Sequence, residues 1–386
     1  MKSSTMKLLF GAASALALMT SGALAGAIAP NANPISFDAG FGKVTVDGQL
    51  SGLAYYQSNS IGSYYGTFPG NADSYLDIDN AMISVAKTDG MFQFYVQAGA
   101  YSFPSLGLPY VKASAVDPAG LGFVPVAYGK LQLDDNFSIE AGKLPTLVGA
   151  ELGFTTQNIN IERGLLWNQE PLVSRGVQVN YADGPLSIAL SWNDGLYSNI
   201  YNTGSGLISY AIDSSDTIAF DVSITPDVTN HLFHHRRPGQ QIYDLMYTYS
   251  ADPWTIAPYV QYQAFNDHPS YSCGGCKLSS GDEWGVGILG SYQFDPNWSL
   301  NGRVEYEAAS GGSPDFWALV YGQKADAWSV TVTPTYQDGI FFARGELSYT
   351  GLSDYAHSYF TGYYGFGSNG DKDNQFRAMF ETGVSL

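Results

Sequence analysis

Arginine and glutamate recur at even spacing near the C-terminal end of this 386-residue chain. Arg303, Glu305 and Glu307 form one set, Arg344 and Glu346 a second, Arg377 and Glu381 a third. In extended backbone, residues two or four apart share a face, so each segment gathers its charges on one side. Opposite charges facing one another across water set up a transverse field that orients polar solutes and sorts ions. The same groups paired within a wall would neutralise one another and hold it rigid. These residue types admit both uses.

The other reactive residues point to less. Cys273 and Cys276 are the only cysteines and form Cys-Gly-Gly-Cys in a polar stretch. A local disulfide is the expectation in an exported chain. A redox site would need a helix start or a cation beside one thiol, and only Lys277 is adjacent. His268 is too isolated to complete a metal site with them. All five histidines, at 231, 234, 235, 268 and 357, fall in predicted loops. None shares a strand with a serine at pairing distance, so no nucleophile and base can be assembled. No phosphate-cradling glycine loop is followed by Lys-Ser or Lys-Thr. Neither an enzyme nor a metal or other cofactor is expected.

The elements that carry the charges are strands. In Trp298–Ala308, Trp298, Leu300, Gly302, Val304, Tyr306 and Ala308 fall on one face. Ser299, Asn301, Arg303, Glu305 and Glu307 fall on the other. Twelve or more such segments recur. Short turns join them in pairs, at Thr88–Gly90, Asp134–Asn136, Ala182–Gly184, Asp213–Asp216, Ala251–Pro253 and Asp295–Asn297. Phe92, Phe137, Tyr181, Trp254, Phe294 and Trp298 sit within two residues of these turns, as an interfacial girdle requires. The remaining connections are long and polar, over Asn59–Asp73, Ser102–Gly122, Leu144–Val173, Gly195–Ser205, Pro226–Gly239, Asn266–Gly281 and Thr350–Asn374. Short turns at one end and long loops at the other predict an all-β, up-and-down, antiparallel transmembrane β-barrel. Both termini on one side require an even strand number. With Ala309–Asp326 taken as an external connection, the number is about 16. Pro334 falls within a predicted strand and is expected to force a bulge.

The address agrees. Lys2 and Lys7, the apolar run Leu8–Met19 and Ala23-Leu24-Ala25 read as a secretory signal over residues 1–25. Residues 26–42 read as a periplasmic lead-in and 43–386 as the barrel. No later stretch is apolar enough for a membrane helix, and a closed barrel is the other way to satisfy backbone groups in lipid. Charged residues make up only 13% of the chain and aromatics 15%, with 28 tyrosines suited to headgroup contact. The formal charge of −18 becomes −20 without Lys2 and Lys7, which excludes a basic nucleic-acid footprint. The expected location is the outer membrane of a Gram-negative-type envelope, with lipid as a partner.

Projected inward, the alternation yields a polar set. It includes Asp77 or Asp79, Gln97, Lys130, Glu140, Gln178, Asn180, Asp221, Asp244, Gln261, Gln263 and the three arginine–glutamate groups. A barrel of this size is wide enough to hold an aqueous channel. Leu144–Val173, the third long connection, contains Glu151, Asn158, Asn160, Glu162, Arg163, Trp167 and Glu170. A loop this long generally has a role, either as a constriction within the lumen or as a flap over its mouth. The candidate lining residues are Glu140, Glu151, Arg163, Arg303, Glu305, Glu307, Arg344, Glu346, Arg377 and Glu381.

Several motifs carry a family resemblance. Gly142-Lys143-Leu144-Pro145-Thr146-Leu147-Val148-Gly149-Ala150-Glu151 is followed by Arg163-Gly164-Leu165-Leu166, Glu170-Pro171, Gly176-Val177 and Trp192-Asn193-Asp194-Gly195. Together with Phe341–Tyr349, they resemble the putative β-barrel porin-2 (OmpL-like) family. The alternating end, Phe376 to Leu386, resembles the last strand of outer-membrane barrels, although those usually finish in Phe or Trp. The resemblance implies a porin-like diffusion channel for small hydrophilic solutes or ions. The alternative is a non-conducting surface barrel, an adhesin or envelope-structural protein, that works through its loops. General porins fold their third external loop into the lumen, which makes Leu144–Val173 the candidate narrowing. They also form homotrimers, but no residue here marks a subunit interface.

Overall fold

The computed structural model describes residues 27–60, 72–114, 121–195, 198–226, 239–266, 268–272, 277–278, 280–311, 321, 324–355, 357–358, 362–363 and 365–386. The expected signal segment, Cys273, Cys276, His231, His234 and His235 lie outside the described residues.

Sixteen strands close a ring. They are β1 (Lys43–Gln57), β2 (Ser74–Lys87), β3 (Phe92–Tyr101), β4 (Val126–Gln132), β5 (Phe137–Pro145), β6 (Val173–Asp183), β7 (Leu186–Asn193) and β8 (Thr203–Ala211). They continue as β9 (Asp216–Ile224), β10 (Gln241–Ala251), β11 (Trp254–Phe265), β12 (Gly281–Gln293), β13 (Trp298–Gly311), β14 (Asp326–Asp338), β15 (Phe341–Asp354) and β16 (Asn374–Ser385). Each pairs antiparallel with its neighbours in sequence, and β16 returns to β1, with Gln49 opposite Ser385. No barrel edge is left unpaired, as a sheet in lipid requires. External loops follow the odd-numbered strands; L2 joins β3 to β4, L3 joins β5 to β6 and L8 joins β15 to β16.

The two faces are inverted relative to a water-soluble sheet. On β13, Trp298 is 48% exposed and Val304 54%, whereas Arg303 is 1% exposed and Glu305 2%. Leu190, Trp192, Ile288, Leu347 and Phe380 are likewise exposed on the outer face. A continuous apolar band of this extent would not stay dispersed in water, so acyl chains must cover it. At the short-turn end the girdle is stacked: Trp254 lies 4.6 Å from Tyr292, Tyr292 4.9 Å from Phe294 and Trp298 5.0 Å from Tyr336, ring centre to ring centre.

One expectation is corrected. Pro334 makes no bulge. The β14–β15 register is the same on both sides of it, Val332 opposite Leu347 and Thr335 opposite Arg344, and only the pairs between them are missing. A proline that lacks its N–H therefore opens the ladder locally while the far side holds, with Leu300 opposite Pro334. Pro258 does the same against β10, where pairing skips from Met246 to Tyr249. The lead-in makes specific contacts with the barrel. Ile35–Asp38 pairs antiparallel with the start of β1. Ala29 exchanges two hydrogen bonds with the Gln337 side chain, and Ile28 N donates to Thr156 O at 3.1 Å. The lead-in thus reaches a segment of L3 from the short-turn side.

Candidate functional site

L3 crosses the lumen and is fastened mostly to carboxylates. A loop inside a barrel leaves backbone N–H groups without partners unless the wall supplies acceptors. Gly149 N donates to Asp221 Oδ2 on β9 at 3.3 Å. Ile161 N and Glu162 N donate to the two oxygens of Glu346 on β15, at 2.5 and 2.9 Å. Gly164 N donates to Glu151 Oε2 at 2.7 Å. Leu165 N and Leu166 N donate to Glu305 on β13, at 2.9 and 3.4 Å. Gly164 is needed here, because a Cβ at that position would fall on the Glu305 carboxylate.

The arginines complete the fastening. Arg303 Nη1 lies 2.6 Å from Glu151 Oε1 and its Nε 3.1 Å from Glu305 Oε2. Arg344 Nη2 lies 2.6 Å from Glu381 Oε2, and its Nη1 donates to Asn158 O at 3.0 Å. Arg377 Nη1 lies 2.6 Å from Glu162 Oε1 and also donates to Ser105 O in L2. L2 and L3 are joined directly, since Arg163 N donates to Pro104 O and Leu106 N to Arg163 O, both at 3.0 Å. Leu106, Ile159, Leu165, Leu166, Tyr321 and Phe366 pack in one apolar cluster with Ala257, Tyr259 and Leu289 of the wall.

Most of the sequence-predicted residues are brought together. Arg303, Glu305, Glu151, Glu346, Arg344, Arg377 and Glu381 all touch L3 or a residue that does. Glu140 is apart, on β5 opposite Lys130. Glu307 faces Glu283 of β12 and meets the C-terminal part of L3 at Gln169, away from the arginine pairs. Arg163 forms no ion pair among the described residues; it lies 6.0 Å from the Phe103 ring and 5.5 Å from that of Trp167. Burial brings its guanidinium down to about 10. Burial raises the carboxyls of Glu151 and Glu170 above their ordinary range, and Asp244 pushes Glu170 further up.

Asn80 and Glu283 were missed, and the choice between Asp77 and Asp79 was left open. Asn80 and Asp79 are adjacent yet both buried, because the register shifts by one between Ser51 and Gly52. Such a bulge turns two successive side chains inward and breaks the alternation. Asn80 Nδ2 and Asp79 Oδ2 both meet Thr155 Oγ1, at 2.7 and 2.9 Å. Glu283 lies at the end of a strand and accepts from Gln169 and Gln263, each at 2.8 Å. An inward parity count on β12 would have found it.

A closed sixteen-stranded antiparallel barrel, apolar outside and charged within, with its third external loop inside, is the porin architecture of bacterial outer membranes. The sequence profile of the family described as "Putative beta-barrel porin-2, OmpL-like" matches residues 43–386, and the chain belongs to that family. Solved structures of similar fold include OmpT, an outer membrane protein of Vibrio cholerae, at 11% identity and a TM-score of 0.58, covering 92% of this chain and 100% of that one. The outer membrane channel DcaP of Acinetobacter baumannii is 13% identical, with a TM-score of 0.58 over 91% of this chain and 99% of its own. Salmonella typhi OmpF in complex with daunomycin is 12% identical, with a TM-score of 0.54 over 91% and 100%. No curated protein sequence matches the chain. The protein is an outer-membrane β-barrel of the porin type.

Proposed function

We propose that the protein is a diffusion channel for small hydrophilic solutes and ions, that L3 forms its constriction, and that cations are favoured. The observation behind this reading is the charge of the interior. Among the described residues, buried ionisable side chains comprise 13 Asp or Glu, four Arg and one Lys. An inner wall with that excess lowers the energy of a cation in transit and raises that of an anion. The arginine–carboxylate pairs lie where L3 approaches β13, β15 and β16, so the narrowest point carries both signs. Side chains there bind and steer; none is assigned a covalent step.

One observation favours a non-conducting barrel. Thr331, Thr333, Asn301 and Gln178 point inward and are almost fully covered by protein. Reconstitution in a planar bilayer separates the two readings. Stepwise ohmic conductance, with a reversal potential towards that of the cation in a KCl gradient, is the expected result. Silence from protein that keeps its cold-gel mobility would support the surface-protein reading, and anion preference would overturn the selectivity.

A further inference from the structure

Gly149 is where three carboxylates meet. Asp221 on β9 and Asp244 on β10 are direct cross-strand partners, and Asp244 pairs in turn with Gln261 on β11. All three side chains point into the lumen and are buried. L3 lays Glu170 over this row, with Gln261 Nε2 donating to Glu170 Oε1 at 3.0 Å. Gly149 binds Asp221 through its N–H, has φ of +91°, and leaves the room that the Glu170 carboxylate occupies. Any side chain there would push Glu170 away.

Among the described residues, no cation pairs with this group. Asp221 Oδ1, Glu170 Oε2 and both oxygens of Asp244 have no donor in hydrogen-bond geometry among those residues, although the Gln261 amide and the Gly149 N–H lie near Asp244. Asp244 is 0% exposed and stands directly across from Asp221. Arg303, on the neighbouring wall, is engaged by Glu151 and Glu305. Buried carboxylates without donors are costly, and either a proton or a guest cation must relieve them. Asp221 and Asp244 are direct cross-strand partners, so one proton held between them would leave Glu170 Oε2 without a donor.

The spacing selects the guest. Adjacent strands are about 4.8 Å apart, which spreads the carboxylates. Among the described residues no three acidic, His or Cys side chains converge tightly enough to clasp a metal ion. An alkylammonium head is larger and carries three N–H donors, one for each acid. We propose that Asp221, Asp244 and Glu170 form a binding site for a protonated primary amine on a permeating solute.

This inference rests on the channel reading for solute access, so binding and conductance are measured separately. The probe is 1,4-diaminobutane, titrated calorimetrically into the folded, detergent-solubilised barrel. Tetramethylammonium, which has the charge but no N–H, is the comparison. Saturable diamine binding is expected, with tetramethylammonium at least tenfold weaker. Asp244→Asn and Glu170→Gln should each weaken the diamine at least tenfold, whereas Asp135→Asn in an exposed turn should not. If Asp244→Asn fails to fold, Glu170→Gln, which alters the loop and not the wall, decides. Equal binding of the two cations, unchanged binding in Glu170→Gln, or no binding to the wild type overturns the site. Binding by a barrel that never conducts supports the site and overturns only the channel reading.

Discussion

Glu346 should be the latch that holds L3 against the wall. It accepts Ile161 N at 2.5 Å, Glu162 N at 2.9 Å and the Thr333 hydroxyl at 2.7 Å. Hydrogen bonds to a charged group contribute about 1.5–3 kcal/mol each, and removing the acceptor strands two buried N–H groups. Glu162 lies near enough to repel the carboxylate, which offsets part of the gain. Glu346→Ala should therefore favour release of this stretch of L3 by about 3–5 kcal/mol, at least a hundredfold in the opening equilibrium. The barrel should persist, since no strand pairing depends on this side chain. Two measurements test it. Protease added to the folded protein should cut L3 in the variant much faster than in wild type, and single-channel conductance should rise. Glu346→Gln keeps one acceptor and should fall between. Unchanged protection and conductance in Glu346→Ala would refute the idea that carboxylate anchors set the position of L3.

Gly164→Ala should displace L3 from Glu305 at a cost of about 1–3 kcal/mol, read as a lower temperature for loss of the fast-migrating folded band; an unaltered melting temperature would count against the close approach. Val304→Lys puts a charge on the lipid face of β13 and should cost about 2–4 kcal/mol of folding stability near the bilayer midplane, whereas Gln93→Lys on β3, which shares the inner face with its cross-strand partner Lys130, should cost less. Equal effects would mean that the faces are misassigned. Glu170 and Glu151 in L3 have carboxyls raised above the ordinary 4.5, first by burial. The folded barrel then holds more protons than the unfolded chain above that pH, so their contribution is greatest below about 4.5 and is lost as pH rises through the folded values. The unfolding temperature should fall over that rise in the wild type and fall less in Glu170→Gln; a steeper fall in the variant would contradict the sign.

The barrel was legible because its signals repeat. Alternation on β13, turns such as Asp295–Asn297 and aromatics beside them each mark strand, end and lipid face, and sixteen copies reinforce one another. What escaped were features set by a neighbour. Alternation on β2 cannot show that Asp79 and Asn80 both turn inward, because that depends on the register against Ser51 and Gly52. Pro334 looked like a bulge because a missing N–H was assumed to shift the strand, but the pairs on the β13 side hold it in register. The inward set of β13, β15 and β16 followed from parity alone. Which of those residues meets L3 did not, since a loop path is fixed by long-range contacts.

The path of L3 also bears on what the acid excess means. Six backbone N–H groups of this loop, from Gly149, Ile161, Glu162, Gly164, Leu165 and Leu166, are received by carboxylates. Five of the six go to Glu346, Glu151 or Glu305, and two of these three carboxylates lie on strands that also carry arginines. Those acids serve first as acceptors for the loop, and their charge is largely answered by N–H dipoles and by Arg303, Arg344 and Arg377. A formal count therefore overstates the field that a passing ion meets. Asp221, Asp244 and Glu170 are different, because four of their oxygens receive no donor. If the lumen favours cations, this unanswered group should contribute more to the preference than the larger arginine-bearing cluster. Neutralising Asp244 should then move the reversal potential further than neutralising Glu381, whose partner is Arg344 at 2.6 Å. An equal shift from both would mean that total charge, and not its local compensation, governs selectivity.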